Sequence, residues 1–302
     1  MLRCIGESKP WWSKSGEILG KAPRACSIPA LKSDDGKWAK RPHEKANLLA
    51  ATFAGKGTLP AREANEYSGF SRRNREIHHL VFPTVETAFA ILNALDPSSA
   101  TGPDELPSRI LQMCAAELAW PITILVMRIF AHGIWPDQWR EHWIIPLHKR
   151  LAVFKPNNYR GVHLTAQLAK VIERSIKTMM EHHLEKTHAL GDNQFAYRKE
   201  RGSRDMILML MLEWLITLDK RRKICVYNSD VAGAFDRVNS ELLILKLQSH
   251  GIHLRMIEVI RSWLQRRRAA VVVGGERSSE FAIENLGFPR NCERFYYMGC
   301  VF

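Results

Sequence analysis

The chain has 302 residues, 46% of them hydrophobic, with a formal net charge of +13, enough for one large domain with a sizeable core and a surface that favours polyanion partners. Its six cysteines form no C-x-x-C pair and no matching histidine spacing, which excludes a zinc-ribbon reading and suits a reducing compartment. The longest apolar run, Met206 to Leu218, is too short to span a bilayer, and the N-terminus lacks the apolar stretch of a signal peptide, so an intracellular protein (cytoplasm or nucleus) without a membrane partner is expected.

Residues 1 to about 43 are basic, rich in Pro, Gly and Lys, and weakly periodic. Asp35-Gly36 predicts a tight turn between short extended pieces, and a short helix is expected from Glu44 to Phe53. Thr84 is placed to cap a helix carrying Val85, Ala88, Phe89 and Leu92 on one face, ended by Pro97. Pro107 suits the first turn of a second helix with Ile110, Leu111, Cys114 and Leu118 inward. Pro121 breaks the path, and a third helix runs to about His132.

A long amphipathic helix is expected from Thr165 to about His183, with Leu168, Val171, Ile172, Ile176 and Met179 at helical spacing. Another, mostly buried, spans Gly202 to Asp219. The apolar run Ile224 to Ser229 reads as a buried strand that contains Cys225. Asn239 or Ser240 caps a helix through Leu242, Leu245 and Leu247 that Gly251 stops in the left-handed position. A further helix carries Ile257, Ile260 and Trp263, and residues 269–283 read as a β-hairpin turning at Gly274-Gly275. The pairs His78-His79 and His182-His183 read as surface residues. Helices with a few strands make an α+β chain.

The most informative stretch is Asp230-Val231-Ala232-Gly233-Ala234-Phe235-Asp236. A carboxylate at a strand tip, with the next backbone carbonyl, can hold a hard divalent cation. Small residues beside it let a nucleotide approach, and the aromatic can wall a sugar pocket. Asp236 is read as structural, turned toward the following helix or a basic neighbour.

These residues resemble the first catalytic block of reverse transcriptases, in the form found in non-LTR (LINE-type) retrotransposons. Other blocks stand in the family's order. They are Thr101-Gly102-Pro103-Asp104-Glu105-Leu106-Pro107, then Ile144 to Lys149 with Asn158 to Leu164, then Gln194 to Lys199 with Gly202 to Asp205. The likeness runs from about residue 45 to 289. It implies a right-hand polymerase fold, fingers and partial palm, mostly helical with a small antiparallel sheet. It divides the chain into a basic extension at 1–75, fingers and partial palm at 76–289, and a tail at 290–302.

By the same resemblance, Asp230 with Val231 would hold two Mg2+ ions, and Asp230 would be the catalytic carboxylate. Phe235 would be the steric gate against a ribose 2′-hydroxyl, with Ala234 beside it; Arg160 and Lys149 would contact the incoming triphosphate. Gln194, Phe195 and Arg198 would line the template path. Apart from the resemblance, the charge run Arg266-Arg267-Arg268 just before the hairpin reads as a solvated face or as a contact to a nucleic-acid backbone. Partners would be an RNA template, a DNA primer and deoxynucleoside triphosphates; nothing in the sequence sets the oligomeric state.

The chain departs from the family after Gly287-Phe288-Pro289, where Arg290-Asn291-Cys292 replaces the expected Gln-Gly continuation. No acidic pair follows before Phe302. The tail reads as a reading-frame slip near Pro289, since bases encoding Pro-Arg-Asn also encode Gln-Gly one frame over. The expectation is a reverse-transcriptase fragment inactive on its own, with a non-catalytic nucleic-acid-binding remnant as the alternative.

Overall fold

The computed structural model describes residues 28–57, 77–196, 198, 200–230 and 238–283. Strands β1 (Leu31–Lys32) and β2 (Trp38–Ala39) form a small antiparallel hairpin. Gly36, at φ +86°, supplies the left-handed residue of its turn. Helix α1 (Pro42–Gly57) is longer at both ends than expected. Proline opens it, and the Glu44 carboxylate accepts from the Lys40 and Arg41 amides at 3.0 and 3.1 Å.

Six helices share the main core: α2 (Val85–Asn93), α3 (Ser108–Met113), α4 (Ala115–His132), α5 (Gln167–Lys186), α7 (Ser240–Ser249) and α8 (Leu254–Leu264). Helix α6 (Ser203–Asp219) stands apart from it. The caps follow the sequence: Thr84 Oγ1 accepts from Thr87, and Asn239 Oδ1 from Glu241 and Leu242. Gly251 follows α7 at φ +78°. Val171, Ile172, Ile176 and Met179 of α5 pack against Ile257, Ile260 and Trp263 of α8 within this core. Trp263 Nε1 donates to Glu173 Oε1 at 3.1 Å, pairing the one carboxylate that α5 sends inside.

Several expectations change here. Pro121 lies inside α4 without ending it. It sits on the exposed side, where water can solvate the Glu117 carbonyl that loses its amide partner. Ile110 and Cys114 face outward; α3 is only 6 residues long and buries Ser108 and Leu111 instead. Of the first face, Ala88 and Leu92 are buried while Val85 and Phe89 are exposed. His78 and His183 are buried, because their Nε2 atoms bond the Met179 and His250 carbonyls at 2.8 and 2.9 Å.

The sheet runs β4-β3-β5-β6, with β7 also paired to β5. Its strands are β3 (Glu141–His148), β4 (Tyr159–Leu164), β5 (Arg267–Val273), β6 (Glu276–Arg277) and β7 (Phe281–Ile283). It is mixed, not antiparallel throughout: β3 and β5 are parallel, joined by the long helical excursion through α5 to α8. The expected hairpin forms as β5–β6–β7, with Val272↔Arg277 and Ala269↔Phe281 in register. One sheet face packs on α1, where Ala46, Leu49 and Ala50 meet Ile144, Tyr159, Val271 and Val273.

Arg140 joins the helical layer to the sheet. Its guanidinium bonds the carbonyls of Trp135 (3.0 Å), Ser262 (2.6 Å) and Gln265, and pairs with Asp137 at 2.8 Å. Its own carbonyl accepts from the Arg268 amide at 3.0 Å.

The expected buried helix and strand on the way to Asp230 are the largest differences. Helix α6 forms, but none of its residues is buried, although Met206 to Leu218 is apolar on every side. Residues 224–229 have no regular secondary structure and no strand partner among the described residues, and Cys225 is exposed. A helix apolar all round and an unpaired strand both need neighbours to cover them.

Beneath the sheet, His142 and His163 are fully buried, with Nδ1 atoms 3.4 Å apart and Arg267 beside them. Burial, reinforced by the Arg267 charge, holds His142 well below 6.5 and pushes His163 down to about 3. Below about pH 6.5 the unfolded chain takes up protons that the folded chain refuses, so this stability is whole above 6.5 and is lost as pH falls toward 3. The urea midpoint should therefore drop between pH 7 and pH 5, before carboxylates titrate, and drop less in His163→Leu; a flat wild-type midpoint would contradict the burial. Arg140→Ala removes the guanidinium bonds to three carbonyls, of which that of Trp135 is buried, and should cost about 3 kcal/mol by urea unfolding. A loss under about 1 kcal/mol would show that the junction holds without it.

Candidate functional site

The β3–β4 hairpin sets the geometry of the first fingers block. The Lys149 amide donates to the Asn158 carbonyl at 2.9 Å, and Asn158 Nδ2 holds the Ala152 carbonyl at 2.8 Å. Tyr159 Oη donates to the Val153 carbonyl at 2.7 Å. Cross-strand pairs then run Leu147↔Arg160, Ile145↔Val162 and Trp143↔Leu164. Alternation puts these on the face opposite α1, so Arg160 stands on the open side of the sheet. Lys149 is exposed at the start of the hairpin loop. Gly161 is required by its partner strand, because a Cβ there would come within 2.7 Å of Ile144 Cγ2.

The block 101–107 is a strap across the β4–α5 junction. Asp104 Oδ2 accepts from the Gln167 amide at 2.6 Å, capping α5 from 63 residues away in sequence. Gln167 Nε2 returns a bond to the Ala100 carbonyl at 2.6 Å. A Cβ on Gly102 would fall on the Thr165 carbonyl, so the strap can lie this close only with glycine there. Glu105 follows at φ +52° and approaches Arg277 on β6 at 4.0 Å.

The second block lies beyond α5. Arg198 turns inward, bonding Glu185 Oε2 at 2.9 Å and the Gly191 carbonyl at 2.6 Å, which ties the loop to the end of α5. Gln194 and Phe195 stay half-buried, with Arg201 stacked 5.8 Å from the Phe195 ring. At the start of α6, Asp205 Oδ2 accepts from the Gly202 amide at 2.7 Å.

Asp230 is exposed at the end of the irregular segment. Val231, Ala234, Phe235 and Asp236 lie outside the described residues. Asp230 is a hard oxygen donor of the right kind for magnesium. Among the described residues, however, no group of three or more His, Cys, Asp or Glu side chains could hold a metal ion. One carboxylate does not build a two-ion site, whose mutual repulsion needs several anionic ligands.

The structure thus groups Lys149 with Arg160 on one hairpin, and Gln194, Phe195 and Arg198 in one loop. In the run 266–268, Arg267 is buried and cannot meet a nucleic-acid backbone, whereas Arg266 and Arg268 remain exposed. Sequence reading missed three features: the Asp104 cap, the Arg140 junction and the stack of Arg277 on Trp143, 4.2 Å from guanidinium carbon to ring centroid. None follows a local motif; only an acidic residue beside a helix start hints at the first.

Residues 147–290 match the family model described as reverse transcriptase (RNA-dependent DNA polymerase). The chain is 23% identical over 273 residues to the "RNA-directed DNA polymerase from mobile element jockey" of Drosophila funebris, covering 86% of this chain and 29% of that protein. The protein of the same name from Drosophila melanogaster is 25% identical over 260 residues, covering 83% and 28%. The "Probable RNA-directed DNA polymerase from transposon BS" of Drosophila melanogaster is 24% identical over 190 residues, covering 63% and 21%. The chain therefore spans under a third of the length of the curated relatives it matches. With the motif blocks standing in the family's order and the block at 144–164 built as an open-faced hairpin, residues 147–290 are similar to the reverse transcriptases of non-LTR (LINE-type) elements.

Proposed function

We propose that this chain is the fingers and partial palm of an RNA-directed DNA polymerase, preceded by a basic extension at 1–75 and followed from 290 by a frame-shifted tail. Within a longer protein, the domain would extend a DNA 3′-hydroxyl with deoxynucleoside triphosphates on an RNA template, inside the cell. The observation that carries this reading is the family match over 147–290, which runs from the β3–β4 hairpin through the Asp230 segment.

The residues divide the work. Arg160, a planar guanidinium on the open sheet face, would clamp triphosphate oxygens, with Lys149 adding charge at the hairpin tip. Gln194 and Phe195 would meet the template, while Arg198 holds their loop against Glu185. Phe235 would close under the deoxyribose, with Ala234 leaving room beside it. Asp230 and the Val231 carbonyl would supply oxygen ligands to Mg2+, which neutralises developing charge in phosphoryl transfer when bound. With no second acidic cluster in its sequence, the chain alone is expected to bind nucleic acid without extending a primer.

The test is primer extension by a length-restored protein that carries a downstream acidic pair. Extension on RNA should need divalent metal, and Asp230→Asn should lower it by roughly 10³-fold, the scale of losing one preorganised charge-stabilising group. Equal rates for Asp230→Asn would refute the assignment. In the same assay Phe235→Val should raise ribonucleotide incorporation, and unchanged sugar selectivity would remove Phe235 from the pocket.

A further inference from the structure

The sheet face opposite α1 carries a feature that no motif block accounts for. Arg277 sits over Trp143, its guanidinium carbon 4.2 Å from the ring centroid. The ring is fixed at its polar edge, where Nε1 donates to Glu141 Oε1 at 3.0 Å. Glu105 of the strap stands 4.0 Å from the guanidinium and steadies it. Along the same strand face, Ile145 and Leu147 are exposed and lead to Arg160, paired across from Leu147. From Trp143 to the Arg160 row is about 13 Å at strand rise, the span of about four nucleotides at duplex spacing.

A guanidinium seated over an aromatic face at one end, apolar side chains between, and a guanidinium at the other match the requirements of an unpaired nucleic-acid strand. Its bases stack on aromatic and guanidinium planes and its phosphates seek fixed cations. The net charge of +13 favours the same partner and disfavours a basic peptide. We propose that the Trp143–Arg277 stack is a docking platform for single-stranded nucleic acid, continuous with Arg160 along the open face of the sheet. Under the polymerase reading, on which the identity of the strand rests, this strand is the unpaired template. Glu105 acts as a positioning residue, holding Arg277 over the ring.

The experiment is a fluorescence-anisotropy titration of the full chain with labelled oligouridine, and with a blunt RNA–DNA duplex as comparison. Oligouridine should bind in a salt-dependent manner, and Trp143→Leu and Arg277→Ala should each weaken it about tenfold. Trp143→Phe, which keeps a stacking face, should bind close to wild type, and urea midpoints should confirm that the variants are folded. Wild-type affinity in Trp143→Leu, loss of affinity in Trp143→Phe equal to that in Trp143→Leu, no binding by the wild type, or tighter binding of the duplex than of the single strand would each overturn the platform. The polymerase reading fails separately. If the length-restored protein extends primers while Trp143→Leu binds oligouridine normally, only the platform is lost. If the platform binds as described and no extension occurs, only the polymerase assignment is lost.

Discussion

The buried guanidinium of Arg140 is the point on which the described architecture turns. Two layers with separate apolar cores meet there: helices α4 and α8 on one side, strands β3 and β5 on the other. Neither core reaches across the seam, so main-chain groups at the seam would stand buried without partners. Five fixed N–H donors in one planar group satisfy the carbonyls ending α8 and preceding β3 together. No apolar side chain does that, and a lysine lacks the fork geometry. The parallel pairing of β3 with β5, and with it the open sheet face, is anchored at this seam by the Arg268 amide on the Arg140 carbonyl.

Much of this was legible because it is local. The Thr84 and Asn239 caps, the Gly251 stop, the α5 and α8 core faces and the β5–β6–β7 turn each depend on a few neighbouring residues, and each formed as read. What misled was context. Pro121 looks like a helix breaker until its exposed side shows where water takes over the missing bond. His78 and His183 look like surface histidines until distant carbonyls accept from them. The parallel β3–β5 pair joins residues more than 120 apart, and no pattern within either strand announces its direction. The Asp104 cap and the Arg277 stack are invisible for the same reason.

The candidate site is divided along this line. The part with Lys149 and Arg160 on the β3–β4 hairpin and the 101–107 strap behind is built and held by named bonds. The half leading to Asp230 is less supported: among the described residues nothing covers the apolar surface of α6, and 224–229 has no regular secondary structure. Both features share one physical requirement: backbone without a ladder and a helix apolar all round each need neighbours, and among the described residues neither has them. Propensity suffices to form α6, because its residues are good helix formers; it does not suffice to form a lone strand.

The central claim, resting on the proposed function, is that the segment leading to Asp230 becomes a paired strand within a longer polymerase. Amide hydrogen exchange across residues 203–230 tests it most directly, comparing this chain with a length-restored protein. The account predicts exchange of 224–230 within seconds in the chain alone, while α5 and α8 stay protected, and strong protection of 224–230 once the remaining sheet is supplied. Protection of 224–230 already present in the chain alone, or none gained in the longer protein, would contradict it.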